Sequence, residues 1–354
     1  IVLLPLAQHM PLPCRVTTAL FRRRKIYGKE YEADYFYHTK KPLMIICAGE
    51  SLIDMVSFAT EKGEVQYSPH FGGGALNSAI TLGRLGAETY FCGAISNDTF
   101  GGLIEDYYRD SKVQEDFIIK TNRPTTLAYA DVTDGVAKYT FVDERSAGRL
   151  IDKNSLKPFV NKIKNAKALL VGGISLQAEP SGTSWQWLIE QVAGHCIIYF
   201  DANIRPDFIE DKDKYLERFE QFTRKVDVIK ISEEDYGYLY GEQDFEKVSA
   251  EWLDKGIKMI VLTLGEKGAK VIYGGGKEIS VGIEAVKVID TIGAGDSFNA
   301  GLLFHLDKQK MLDREKLASI NTTTLKKSLA FANQVANFTV TQKGANPPWL
   351  HQIK

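Results

Sequence analysis

The feature that most constrains this chain is the recurrence of strand-length apolar runs between helix-patterned stretches. Such runs cover residues 43–48, 89–93, 168–171, 196–200, 226–231 and 259–264. Stretches compatible with helices fill residues 74–85, 99–110, 181–194, 212–225, 244–255, 296–306 and 323–337. A strand that is apolar throughout must be covered on both faces, and helices alternating with strands supply that cover. The pattern therefore predicts a doubly wound, mostly parallel sheet in a three-layer α/β/α domain. Residues 127–142 break the rhythm, since two strand-like runs flank Asp134-Gly135, a strong signal for an antiparallel hairpin.

Composition narrows the function. The chain has 354 residues, 44% hydrophobic and 25% charged, which is enough to bury a sizeable core and excludes global disorder. A formal net charge of -1 gives no basic face for nucleic acid or an anionic membrane. Four cysteines lack Cys-x-x-Cys spacing and six histidines lack zinc-ligand spacing, so neither disulfides nor a structural metal is expected. A reducing, cytoplasmic setting and a small-molecule partner follow as expectations. No apolar run is long enough to span a bilayer as a helix. Residues 1–42 stand apart as an N-terminal extension, with no acidic residue before Glu30 and a basic cluster at Arg22-Arg23-Arg24-Lys25. They read as a targeting segment or, the preferred reading, an over-extended start preceding the first strand.

Chemistry concentrates in Asp290-Thr291-Ile292-Gly293-Ala294-Gly295-Asp296-Ser297-Phe298. Gly293 and Gly295 allow a sharp turn with close ligand approach, and the apolar run from Phe298 reads as a buried helix. Free amides and the positive dipole end at a helix start stabilise a phosphate. Asp296, at the same point, suits a base that accepts a proton from a hydroxyl during phosphoryl transfer. A helix cap on a glycine turn is the plainer alternative for such a run.

A second motif lies far upstream. His70-Phe71-Gly72-Gly73-Gly74-Ala75-Leu76-Asn77-Ser78-Ala79 opens a helix that Gly86 closes before the next strand. Together, in this order, the two motifs resemble the sugar-binding and C-terminal signatures of the PfkB-type, ribokinase-like carbohydrate kinases. The resemblance spans residues 43–348, with residues 43–354 as the kinase domain. It implies a ribokinase-like fold in which antiparallel strands within about 57–70 and 122–145 form a lid over a sugar. It also implies ATP and Mg2+, a small-molecule sugar as partner, and leaves open a K+ requirement and a homodimer.

The resemblance assigns roles by position. Asp296 is the catalytic base, and Gly293, Ala294 and Gly295 form the anion cradle with it. Asp54, Gly73, Gly74 and Asn77 match sugar-binding positions, and Asn203 and Arg205 belong to an Asp-x-Asn-x-Arg element, placed to steady substrate or phosphates. Lys230 and Ser232 lie at the family's Asn-x-x-Glu region, where Ser232 replaces the Asn and Asp235 the Glu. Asp235 or Glu234 would then meet magnesium through water. Thr263, Gly265 and Gly268 match a nucleotide-binding turn, and Asn333 and Gly344 the region enclosing adenine. Asp290 and the Ile292 carbonyl match a monovalent-cation position.

Among family substrates, residues 143–150 and 174–180 look most like those of bacterial fructokinases. A 2-keto-3-deoxygluconate kinase commonly places an Arg three residues before the Ser146-Ala147 pair, where this chain has Asp143. That carboxylate would repel an acid sugar and favour a neutral hexose. Arg145 and Arg205 keep 2-keto-3-deoxygluconate kinase as the close competitor, ribokinase activity comes third, and a non-catalytic sugar- or nucleotide-binding regulator is the alternative from another class.

Overall fold

The computed structural model describes residues 24–26, 29–31, 44–133 and 136–353. The chain divides into two units, residues 1–40 and 41–354. In the first, Arg24–Ile26 pairs antiparallel with Lys29–Tyr31. The remaining expectations for residues 1–42 lie outside the described residues, as do Asp134 and Gly135 at the hairpin turn.

The second unit is built on nine strands: β1 Ile45–Ala48, β4 Thr89–Ser96, β5 Gln114–Thr121, β8 Ala168–Gly172, β9 Ile197–Asp201, β10 Val228–Ser232, β11 Met259–Thr263, β12 Ala269–Tyr273 and β13 Lys277–Val281. Their spatial order is β13-β12-β11-β10-β9-β8-β1-β4-β5. All neighbours from β11 to β5 run parallel, and β12 and β13 complete the sheet as antiparallel partners. Of the three strands absent from the sequence reading, β5 and β13 are the edge strands, where exposed polar side chains interrupt the apolar signal, while β12 is a mostly buried strand of five residues between β11 and β13.

Side-chain alternation splits the core in two. Ile46 and Ala48 of β1, with Leu169 and Val171 of β8, pack with Trp185, Phe219 and Trp252 on one face. Ile45, Cys47, Ala168 and Leu170 point to the other, against Leu76, Ile80, Leu302, Leu303 and Leu329. That second layer contains helix α1 Gly74–Arg84, helix α7 Ala294–Lys308 and helix α8 Thr322–Val340. Gly301 lets α7 approach α8 closely, since a Cβ there would lie 2.9 Å from the Cα of Ala332. The first layer includes α3 Ser181–Val192, α4 Lys212–Thr223, α5 Glu233–Tyr240 and α6 Phe245–Asp254; α2 Thr99–Asp110 follows β4.

A separate four-stranded sheet contains the segments expected to form the lid. It consists of β2 Leu52–Ala59, β3 Val65–Gly72, β6 Thr126–Thr133 and β7 Val136–Val142, ordered β3-β2-β6-β7. The lid begins earlier than the reading of residues 57–70 suggests. Leu52, Ile53 and Asp54 are buried, so the start of β2 lacks the polar alternation that marks a half-exposed strand. Asp54, which follows β1 in the chain, consequently sits within strand β2 of this sheet, opposite His70.

Candidate active site

Two helix starts converge at the carboxyl edge of the main sheet. Helix α7 begins at Gly293, whose φ of 76° is the left-handed conformation that glycine adopts without strain. Ser297 N–H donates to the Gly293 carbonyl, which leaves the amides of Gly295 and Asp296 ahead of the helix's own ladder. Helix α1 begins at Gly73, φ 101°, and its Gly74 N–H donates to Glu50 Oε1 at 2.9 Å.

The side chains meet at Gly74. A Cβ on Gly74 would lie 3.0 Å from Asn203 Nδ2 and 3.1 Å from Asp296 Oδ1. Glycine therefore leaves a small cradle bounded by an amide and a carboxylate. Asn77 Nδ2 donates to Asp296 Oδ2 at 2.9 Å, while the buried Asn77 Oδ1 has no protein partner. A buried acceptor without a donor is a place for a ligand hydroxyl.

Electrostatics follow from burial. Removal from water pushes Asp296 up to about 7; the Asn77 hydrogen bond opposes this, Asp201 adds to it, and the cations Lys230 and Arg205 oppose it. Burial likewise raises Asp54 to about 6, against the pull of Arg205 and with a push from Asp290. Lys230, buried among carboxylates, loses charge stability by desolvation but is held above its usual range by Asp201 and Asp235. Its Nζ lies 3.1 Å from Asp201 Oδ1 and 3.2 Å from where a Cβ on Gly295 would sit, so its charge lies against the first turn of α7. Asn299 Nδ2 closes this network on Asp201 Oδ2 at 2.6 Å.

A PfkB carbohydrate kinase family profile matches residues 43–352. The chain belongs to the pfkB family of carbohydrate kinases. It is 37% identical to the fructokinase of Rhizobium leguminosarum bv. trifolii over 283 residues, 80% of this chain and 86% of the relative. It is 31% identical to probable fructokinase-5 of Arabidopsis thaliana, covering 86% of this chain and 93% of that protein. Among solved structures, a double mutant of Vibrio cholerae O395 fructokinase in fructose-, ADP- and potassium-bound form aligns with a TM-score of 0.73 at 26% identity. The match covers 85% of this chain and 93% of that one. A fructokinase from Xylella fastidiosa with bound ATP has the same fold, with a TM-score of 0.78 at 24% identity over 86% and 94% of the two chains.

The other positions of interest in this kinase are distributed as follows. Ser232 caps α5, its Oγ accepting from Asp235 N–H, while Asp235 accepts from Ser232 N–H and, at 3.0 Å, from Ile204 N–H. The Asp235 carboxylate is thus occupied by backbone, whereas Glu234 is exposed on the same first turn. Among the described residues no cluster of three or more His, Cys, Asp or Glu forms a ready metal cage. Thr263 ends β11, and Gly265 and Gly268, both at positive φ, shape a tight bend into antiparallel β12. Asn333 donates to the Gly282 carbonyl at 3.0 Å from α8. Gly344, φ 66°, donates to Asp290 Oδ2 at 2.9 Å, and Ile292 N–H donates to the other Asp290 oxygen.

Sequence reasoning missed Glu50. Its carboxylate is buried, accepting from Gly74 N–H and from Ser175 Oγ at 2.6 Å, so it ties the start of α1 to the short helix after β8. The available signal was a lone acidic residue after an apolar strand, next to Gly49 at the ligand-binding edge.

Proposed function

We propose that this chain is an ATP-dependent fructokinase that acts in the cytoplasm. The observation that carries the reading is Asp296 at the open first turn of α7, facing the cradle it shares with Asn77, Asn203 and Gly74. The fructokinase relatives, aligned over most of their length, support fructose as the acceptor. Asp143 forms an ion pair with Arg149 at 2.9 Å, which compensates its charge and weakens the repulsion of an acid sugar expected from sequence, so the choice of fructose rests on the relatives.

In the proposed mechanism, Asp54, Asn77 and Asn203 hold sugar hydroxyls under the lid, with Gly73 and Gly74 admitting the ring closely. Asp296 takes the hydroxyl proton as the sugar oxygen attacks the γ-phosphorus of ATP and the β–γ bridging bond breaks. The amides of Gly295 and Asp296, in the turn shaped by Gly293 and Ala294, hold the equatorial oxygens, and Lys230 and Arg205 add positive charge around them. Little covalent help is needed, because positioning and fixed dipoles supply most of the acceleration. Thr263, Gly265, Gly268, Asn333 and Gly344 border the proposed nucleotide groove. Mg2+ neutralises phosphate charge when bound. Glu234, exposed on the first turn of α5, would hold such an ion through water, while Asp235 fixes the neighbouring loop by accepting from Ile204 N–H. Asp290 and the Ile292 carbonyl are the proposed K+ position. Val65 and Val142, exposed on the same side of the lid sheet, offer apolar surface to a second copy of the chain in a proposed homodimer.

A coupled ADP-release assay across fructose, 2-keto-3-deoxygluconate, ribose and adenosine tests the reading. Fructose is expected to give the highest kcat/KM. Preference for the acid sugar or ribose would reassign the substrate, and no turnover on any of the four would favour a binding regulator.

A further inference from the structure

Among the described residues three non-glycine residues have positive φ: Lys112, Asn203 and Lys310. Lys112 and Lys310 immediately follow helix caps, where a left-handed residue commonly ends a helix. Asn203 has no such explanation. It follows strand β9, with φ 38°, a conformation that persists only where the surroundings enforce it.

Two side chains hold this turn: Asp235, which accepts from Ile204 N–H at 3.0 Å, and Gln177, which makes more of its contacts. The buried Gln177 side chain donates from Nε2 to the Asn203 carbonyl at 2.9 Å and the Ala202 carbonyl at 3.4 Å, and its Oε1 accepts from Arg205 N–H at 2.8 Å. One amide thus serves three backbone groups around the left-handed residue, as a neighbouring strand would. Gln177 is itself fixed, because it ends the short helix Ile174–Gln177, whose Ser175 is bound to Glu50, the carboxylate that also holds Gly74. The consequence is the cradle already described, with Asn203 Nδ2 and Asp296 Oδ1 each about 3 Å from a Cβ position on Gly74.

The geometry points to Gln177 as a positioning residue of the sugar site: its amide is a backbone template that holds Asn203 left-handed and so aims the Asn203 side chain at the acceptor sugar beside Asp296. This rests on the sugar-kinase reading of the cradle. Gln177 touches no substrate, and its effect passes through Asn203.

The test compares Q177M, which keeps chain length and burial but removes all three hydrogen bonds, with N203G, which accepts positive φ but lacks the amide. Calorimetric titration with fructose, without nucleotide, should show binding to Q177M weakened about tenfold, the loss of one well-placed hydrogen bond. In the N203G background, Q177M should change fructose affinity by less than about twofold, because the group it positions is already gone. A crystal structure of Q177M should show residue 203 out of the left-handed region. The inference is overturned if residue 203 keeps positive φ in Q177M, or if Q177M weakens fructose binding equally with and without Asn203, as a merely structural glutamine would. Should Q177M not fold, Q177E retains the acceptor for Arg205 N–H but sets oxygen against both carbonyls, and the same readouts decide. If wild-type protein fails to bind fructose, the fructokinase reading falls, and the conformation of residue 203 in the variant alone judges the role of Gln177.

Discussion

Asn77 Nδ2 lies 2.9 Å from Asp296 Oδ2, joining residues 219 positions apart in the chain. This contact links the helix that opens the sugar cradle to the helix that opens the anion cradle, and it orients the carboxylate proposed to take the proton. Asp296→Asn keeps the shape but cannot accept that proton. Its kcat should fall about a thousandfold, within the range for loss of general-base catalysis, with the KM for fructose within a few-fold of wild type. A steady-state ADP-release assay reads both, and wild-type kcat in the variant would remove Asp296 from the role.

The base acts only when ionised. With Asp296 at about 7 in the free protein, log kcat/KM should rise with pH and level off above about pH 7. The Asn77 hydrogen bond lowers this value, so Asn77→Ala should move the acid limb to higher pH as well as weaken sugar binding. A limb left in place by the substitution would assign it to another group.

Burial of Asp296 also has a cost in stability. Its folded pKa is raised, so its favourable contribution is complete below about pH 4 and is lost as pH rises through about 7. Asp296→Asn should therefore be more stable than wild type at pH 8, by about 1–3 kcal/mol, with the gap closing toward pH 4. Urea unfolding at the two pH values measures this, and a gap that widened on acidification would contradict the burial argument.

Glu50 holds Gly74 N–H and Ser175 Oγ through one buried carboxylate. Glu50→Ala leaves both donors without that acceptor and should destabilise the fold by about 2 kcal/mol or more. Glu50→Gln, which still accepts, should recover part of that loss in the same denaturation experiment.

Gly293 cannot take a side chain quietly, since a Cβ there would lie 2.6 Å from the Ala345 Cβ and its φ is left-handed. Gly293→Ala should cost about 1–3 kcal/mol in backbone strain and lower kcat more than it alters fructose binding, because it displaces the anion-binding turn. Kinetics and fructose calorimetry on the same preparation separate the two effects.

Local pattern alone determined much of this protein. Runs such as Ile45–Ala48 had to become covered strands, Gly86 had to stop a helix, and Gly-Ala-Gly-Asp had to open one, because each is decided by nearest neighbours and backbone freedom. Sequence could not place Asp54 within the lid or bring Asp235 to the Ile204 N–H, since both depend on which strands pair and which backbone groups arrive beside them. Glu50 and Gln177 carry no local signature at all. Their importance arises only when the parallel sheet brings Gly74, Ser175 and Asn203 to one edge, where a buried carboxylate and a buried amide must satisfy backbone groups that water can no longer reach.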